Sequence, residues 1–501
     1  MSVVITQSSH CQSEGQHGRE IFQYKTCPIL TRSPPKHFAQ IPIMATFVPR
    51  PPYSPEELEK LYPKNLQLEQ IQVIFRHGER TPINARFMNT DLPPFWNFCK
   101  AAKQFKAAVL ESPTDIWSHL SYHRGIETIG PNGVAVMTSS RDGDEEGICL
   151  FGELTDTGRQ TTLALGQRLR HLYVDQLQFL DKELKDGRPF YLRSSPVPRA
   201  QESLHQVFTG LYPPSTRTNL TIAPIIRTRN AADENLYPNE NNCRRLLQLA
   251  RAFADLAAQT WNKTPEMAYI DSKIGKWLSV PAAIDGHPRL SGIQDHINST
   301  IAHDKSVHLP DEFYDPKVRE YIEMMTVDEW FRGYEQSSEY RRLGVGNLLA
   351  NIKDRMIEDI VAPEKTKFAL MGCHDTTIAA VLATLGAFDK KWPPFTSSIA
   401  FEVFRAVDGA NKPAVKKWGW DSWFGRKGVN TDGYYVRLRY NDNPVVVKGC
   451  KPAGKHLEGD ESFCTLEAFK EIVEKVSPPD WRAECRSNLD KSDIPPVELL
   501  D

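Results

Sequence analysis

The sequence predicts an α/β protein: a three-layer α/β/α arrangement around a mostly parallel sheet, with a helical lobe inserted into it. Three observations carry that class. Three short apolar runs, 71–75, 190–192 and 368–373, each end in Arg, His, Ser or Asp, and the second and third lead into helical patterns. Residues 235–360 are mostly helical in period, punctuated by Pro265, Pro281, Pro288 and Pro310. Two later runs, 398–404 and 433–440, alternate and are rich in β-formers, as strands completing the sheet would be.

Taken in order, residues 1–44 are rich in Ser, Gln, His and Pro and lack the basic-then-apolar layout of a signal peptide. They read as a disordered extension or a weak mitochondrial transit segment, with Met44 as a second candidate start. Nothing before about residue 53 is expected in the core, and the implied location is intracellular, cytoplasmic or mitochondrial. Ser54-Pro55-Glu56-Glu57 has the grammar of a helix start, with Ser as N-cap and Pro at the first position. Ile71-Gln72-Val73-Ile74-Phe75 then reads as a buried strand delivering Arg76, His77 and Arg80 at its C-terminal end. Residues 86–150 form a long excursion, helical over 101–110 and otherwise loop, of the kind that covers a site.

Thr155 or Asp156 would cap an apolar-periodic helix through Leu163, Leu165, Leu169 and Leu172. A second strand, 190–194, ends near Arg199, with a helix over 200–211. Helices are expected over 244–259, 316–325 and 344–360. The third run delivers His374 and Asp375 to the start of a helix over 376–385. Trp418, Trp420 and Trp423 lie in a long connection, 463–475 is read as a terminal helix, and a loosely packed tail follows about residue 478.

Composition narrows the function. The 501 residues are 40% hydrophobic and 25% charged, with 61 basic against 63 acidic side chains and a net charge of -2, so nothing global points to nucleic acid or a membrane surface. No apolar run is long enough to span a bilayer. The nine cysteines are dispersed and form no C-x-x-C pair, which argues against a zinc site.

The ends of three strands at one sheet edge would bring Arg76, His77, Arg80, Arg199, His374 and Asp375 together, and ligands of open α/β sheets bind in that crevice. Guanidinium forks match the oxygens of a dianion, so the arginines suit a phosphate clamp. His77 would be a nucleophile or a donor. Asp375 could protonate a leaving oxygen and later activate water. Taken singly, Arg199 is an ordinary ion-pair arginine and His374-Asp375 an ordinary helix start. Their joint occurrence, in order and each at a strand end, favours phosphoryl transfer.

Arg76-His77-Gly78-Glu79-Arg80-Thr81-Pro82 resembles the R-H-G-x-R-x-P signature of histidine acid phosphatases, and His374-Asp375 resembles their distal H-D. Arg193-Ser194-Ser195-Pro196-Val197-Pro198-Arg199 is similar to the family's middle R-S-T-x-x-x-R element, and Leu154-Thr155 with Gly158 to its L-T-x-x-G helix start. The resemblance runs over about 65–475. It implies a phosphoglycerate mutase-like fold, His77 as nucleophile through a phosphohistidine, and Asp375 as proton donor. It further implies Arg76, Arg80, Arg199 and His374 as phosphate ligands, no metal or other cofactor, and a small-molecule phosphomonoester as substrate. Lys391-Trp392-Pro393-Pro394-Phe395 and the stretch around Leu165-Gly166 look closer to the lysophosphatidic-acid phosphatase branch and its fungal relatives than to secreted phytases. An inositol-polyphosphate phosphatase and a non-catalytic phosphate-binding protein are the alternatives. Cys450 and Cys464 resemble a family disulfide pair. Pro196, Pro198, Ser195 and Glu79 depart from the family pattern, and Glu79 sets a negative charge beside the clamp.

The expected organisation is an extension over 1–52, a phosphatase domain over 53–478, and a tail over 479–501. Within the domain the α/β core takes about 65–85, 151–234 and 361–475, with lid insertions of about 86–150 and 235–360.

Overall fold

Ser54 opens the first helix as its sequence predicts. Its hydroxyl accepts the Glu57 N–H at 3.2 Å while the Glu57 carboxylate accepts the Ser54 N–H at 2.8 Å, a capping box opening α1 (Pro55–Leu61). The computed structural model describes residues 45–113, 116–217, 219–407, 429–491, 494 and 497. Strand β1 (Leu66–Arg76) follows α1. Two hairpins come next, β2 (Gln104–Ser112) with β3 (Ile116–His123), and β4 (Glu127–Ile129) with β5 (Ala135–Met137). Then come α2 (Asp156–Arg170), β6 (Phe190–Ser194), α3 (Pro198–Leu211) and the short β7 (Ile226–Arg227). The helical lobe comprises α4 (Arg244–Trp261), α5 (Pro265–Ile274), α6 (Leu290–Ile301), α7 (Pro316–Gln336) and α8 (Asn347–Val361). The chain returns through β8 (Phe368–Cys373), α9 (Asp375–Thr384), β9 (Ser398–Ala406), β10 (Tyr434–Tyr440), β11 (Asn443–Val445), β12 (His456–Leu457), β13 (Asp460–Thr465) and α10 (Leu466–Val476).

The central sheet runs β12-β13-β10-β9-β1-β8-β6-β7, with β11 on β10. β1, β8, β6 and β7 pair in parallel, and from the β1–β9 pair outward the pairing is antiparallel. Both faces are covered, as parallel strands require. Ile71, Val73 and Phe75 of β1 pack with Leu165, Leu204 and Val207 of α2 and α3. Ile74, one residue out of phase, belongs to the opposite core with Ile352, Ile378 and Phe469. The alternation along β8 is the same: Phe368 and Leu370 on one face, Ala369 and Met371 on the other. These are the three layers of the expected α/β class. The lobe has its own core, in which Ile270, Ile293, Phe313 and Met325 pack around Phe87, Leu92 and Trp96 from the start of the excursion.

Four expectations change. The 101–110 stretch is a hairpin strand apart from a turn of helix at Lys100–Lys103, because Ile116–His123 supplies a partner in register (Ala107 opposite Leu120, Leu110 opposite Trp117), and pairing overrides a weak helical pattern. Residues 45–52 are not a free extension: Ala45 is buried, the Phe47 N–H donates to the Phe395 carbonyl at 2.9 Å, and the Phe395 N–H donates to the Ala45 carbonyl at 2.8 Å. The helix expected over 463–475 begins at Leu466, capped by Thr465, with Phe463 inside β13, and a short helix Trp481–Glu484 follows it. The tail is stapled: Cys485 is buried and bonded to Cys243, and its carbonyl accepts the Arg245 N–H. Cys450–Cys464 and Cys99–Cys149 are the other disulfides among the described residues. Residues 1–44 and Trp418, Trp420 and Trp423 lie outside the described residues. No described helix is long and apolar enough to cross a membrane.

Candidate active site

The parallel strands stop together. The His77 N–H donates to the Cys373 carbonyl at 3.1 Å, and the Ser195 N–H donates to the Gly372 carbonyl at 3.1 Å. Neighbouring strands therefore set the residues after β1, β8 and β6 side by side. The loop leaving β1 is pressed onto the first turn of α2. A Cβ on Gly78 would meet the Gly158 carbonyl at 2.3 Å, and one on Gly158 would meet the Glu79 carbonyl at 2.2 Å. Only glycine fits at either contact, which explains why the two motifs carry it. Thr155 caps α2 through the Gly158 N–H at 3.3 Å, and its own hydroxyl donates to the Glu79 carbonyl at 3.2 Å.

His77 is 2% exposed. Its Nδ1 donates to the Gly78 carbonyl at 2.9 Å, which leaves the lone pair on Nε2. Nε2 faces Arg199, whose Nε–H donates to it at 3.1 Å. Burial, then Arg199, His374 and the other arginines, hold His77 well below the ordinary imidazole range, so the ring is neutral. Arg199 follows Pro198 at the start of α3, a position proline favours, so the two departures Pro196 and Pro198 lead into a regular helix start. Burial and then Arg80 lower Arg199 to about 10, and it stays charged.

Arg76 sends Nη2 to Asp375 Oδ2 at 2.7 Å and Nη1 to the Pro393 carbonyl at 2.5 Å, with its guanidinium 4.1 Å over the Phe395 ring. Arg80 pairs with Asp295 Oδ1 at 2.7 Å. The Nε atoms of Arg76 and Arg80 are buried and have no partner among the described residues. Unclaimed buried guanidinium donors are costly and are suited to an incoming anion.

His374 is the N-cap residue of α9 and Asp375 its first residue. His374 Nε2 is 2.9 Å from Ser195 Oγ, and its ring centroid is 5.4 Å from that of His77. Burial and then Arg199 keep His374 neutral, so here it is a hydrogen-bonding group and not a cation. Trp392 Nε1 donates to Asp375 Oδ2 at 3.1 Å. Burial pushes Asp375 up, but Arg76 and Arg80 outweigh it and hold the carboxyl below its ordinary value.

All six residues expected at the site thus converge. Glu79 does not face the clamp. Its carboxylate accepts Thr46 Oγ1 at 2.7 Å and the Thr161 hydroxyl, and so ties Thr46 and α2 to the motif loop. Trp392, Pro393 and Phe395 line the site through a segment whose Lys391–Phe395 pattern was visible in the sequence without a role. Asp295, on α6, had no signal at all. Among the described residues no group of three or more His, Cys, Asp or Glu is placed to hold a metal ion.

The model of the histidine phosphatase superfamily (branch 2) matches residues 67–441. A protein named probable acid phosphatase from Schizosaccharomyces pombe is 39% identical over 457 residues, covering 85% of this chain and 95% of that protein. Lysophosphatidic acid phosphatase type 6 of Homo sapiens is 25% identical over 430 residues, covering 84% of this chain and 86% of that protein. Among solved structures, Hafnia alvei phytase in complex with tartrate gives a TM-score of 0.51 at 13% identity, covering 84% of this chain and 99% of that chain. At that identity the likeness is one of fold.

Proposed function

The chain belongs to the histidine phosphatase superfamily (branch 2), and we propose that it works as an acid phosphatase through a phosphohistidine on His77, with Asp375 as proton donor. The observation that carries this reading is the Nδ1–H of His77 bonded to the Gly78 carbonyl, which leaves a neutral Nε2 facing the Arg199 guanidinium, with Arg76 and Arg80 acting on the ring through their charge. Arg76, Arg80, Arg199 and His374 hold the phosphoryl oxygens. Arg199 exchanges its bond to Nε2 for one to the phosphate, freeing the lone pair. Nε2 attacks phosphorus, the bond to the ester oxygen breaks, and Asp375 delivers its proton to that oxygen. Water then attacks phosphorus while Asp375 takes its proton, and the P–N bond breaks.

The charge balance fixes the pH dependence. Paired with Arg76, Asp375 is ionised, and a dianion drawn to Arg76 removes the cation that keeps it so. The productive complex therefore carries one proton shared between substrate and Asp375. A phosphate monoester loses its second proton at about pH 6, so kcat/KM falls as pH rises through that value.

A substrate with an apolar tail is the finer part of the proposal. Gly152 lies against both Arg199 and Ile83, and Ile83 and the adjoining Leu150 and Phe151 are exposed. An apolar rim on a phosphate pocket suits a lysophosphatidate-like ester, and relatives named lysophosphatidic acid phosphatase support it. For location, the three disulfides among the described residues favour an oxidising compartment over the cytosol.

The experiment is phosphate release from p-nitrophenyl phosphate, lysophosphatidate and phytate across pH. Activity is expected at acidic pH, greatest on lysophosphatidate, and lost in His77→Ala. Full activity in that variant would sink the mechanism.

A further inference from the structure

Arg80 is the clamp arginine whose acidic partner comes from the helical lobe. Asp295 projects from α6 with Oδ1 2.7 Å from Arg80 Nη1, and its Oδ2 accepts the Ile83 N–H at 3.0 Å. Its neighbours Gln294, His296 and Ile297 are buried in the lobe, so the helix holds the carboxylate in place. The side chain is only 15% exposed, and water screens the pair little. Burial opposes its charge, yet Arg80, the Ile83 N–H and His296 keep it ionised. Its field also reaches Arg76 and Arg199.

The pocket thus sets three guanidinium cations against two carboxylates, Asp375 and Asp295. When Asp375 is protonated for its task, one phosphate dianion together with Asp295 balances the three cations. A second phosphate on the substrate leaves the pocket with excess negative charge. Removing Asp295 would leave excess positive charge, and phosphate would be held too well.

We propose that Asp295 is a specificity-determining residue, a fixed carboxylate that competes with the phosphoryl group for Arg80. It thereby favours singly phosphorylated substrates over polyphosphorylated ones and weakens retention of inorganic phosphate. The proposal rests on the phosphatase reading of this site. The opposite possibility is that Asp295 merely orients Arg80, in which case its loss would weaken phosphate binding.

The two differ in sign, and Asp295→Asn separates them while keeping the shape. Inorganic phosphate affinity is measured by calorimetry, and kcat and KM are measured on p-nitrophenyl phosphate and phytate. The expected result is phosphate bound about tenfold tighter, and kcat/KM on phytate relative to p-nitrophenyl phosphate raised about tenfold, as removing one nearby charge at intermediate dielectric implies. Asp295→Glu, which keeps the charge, should stay within about twofold of wild type in both. Phosphate binding that is unchanged or weaker, with KM raised alike for both substrates, overturns the proposal. Should the asparagine variant lack a cooperative melting transition, Asp295→Ser carries the same expectation and the same contrary outcome. Calorimetry needs no turnover, so an inactive wild type would count against the phosphatase reading and leave the sign at Asp295 still decided.

Discussion

At His77 the chemistry depends on which ring nitrogen carries the proton. The Gly78 carbonyl takes Nδ1–H, so the nucleophilic atom is set by backbone that the motif itself supplies. Asp375 has the harder task, since Arg76 holds its proton off until a dianion arrives. In Asp375→Asn both the acid and the later base are gone. General acid–base groups contribute about 10²–10⁴-fold, and the loss should fall hardest where the leaving group is poor. With p-nitrophenyl phosphate, which leaves without help, rapid mixing should show a burst approaching one nitrophenolate per enzyme, followed by slow turnover. Slow release with no burst would assign the first step, too, to Asp375. The six residues were legible because each follows an apolar run whose strand character is plain. Asp295 was not, because it is one polar residue among several on α6, and only the lobe's docking against Arg80 gives it meaning.

At the scale of elements, strands with a buried run and helices with a clear cap were readable, and elements defined by a partner were not. Thr155 and Ser54 announce their helices. Gln104–Ser112 reads equally well as helix or strand until Ile116–His123 pairs with it. The segment at 45–47 is short and without pattern, and it is ordered by Phe395 and by Glu79. Burial raises Glu79 above its ordinary value despite the Thr161 and Thr46 hydroxyls, so this carboxyl depends on its donors. A chain beginning at residue 53 loses two backbone hydrogen bonds and the Thr46 bond that one beginning at residue 45 keeps. At about 1 kcal/mol for each bond, the shorter chain should be less stable by about 2–4 kcal/mol. Denaturant melts of the two chains check this, and coincident melts would mean that the segment only rests on the core.

For the whole molecule, the α/β class followed from apolar period alone, since a strand buried on both faces admits few architectures. The antiparallel half of the sheet and the disulfide to Cys485 were less accessible, because both depend on contacts between distant parts of the chain. In the proposed mechanism, the sheet edge and the arginine clamp serve to pass phosphate through His77. Quenching the enzyme into alkali during turnover of a radiolabelled phosphate ester, then mapping the labelled peptide, tests this most directly. Label is expected on the peptide containing His77, stable to alkali and labile to acid, and absent from His77→Ala. An active enzyme that carries no label, or carries it on another residue, would contradict the mechanism.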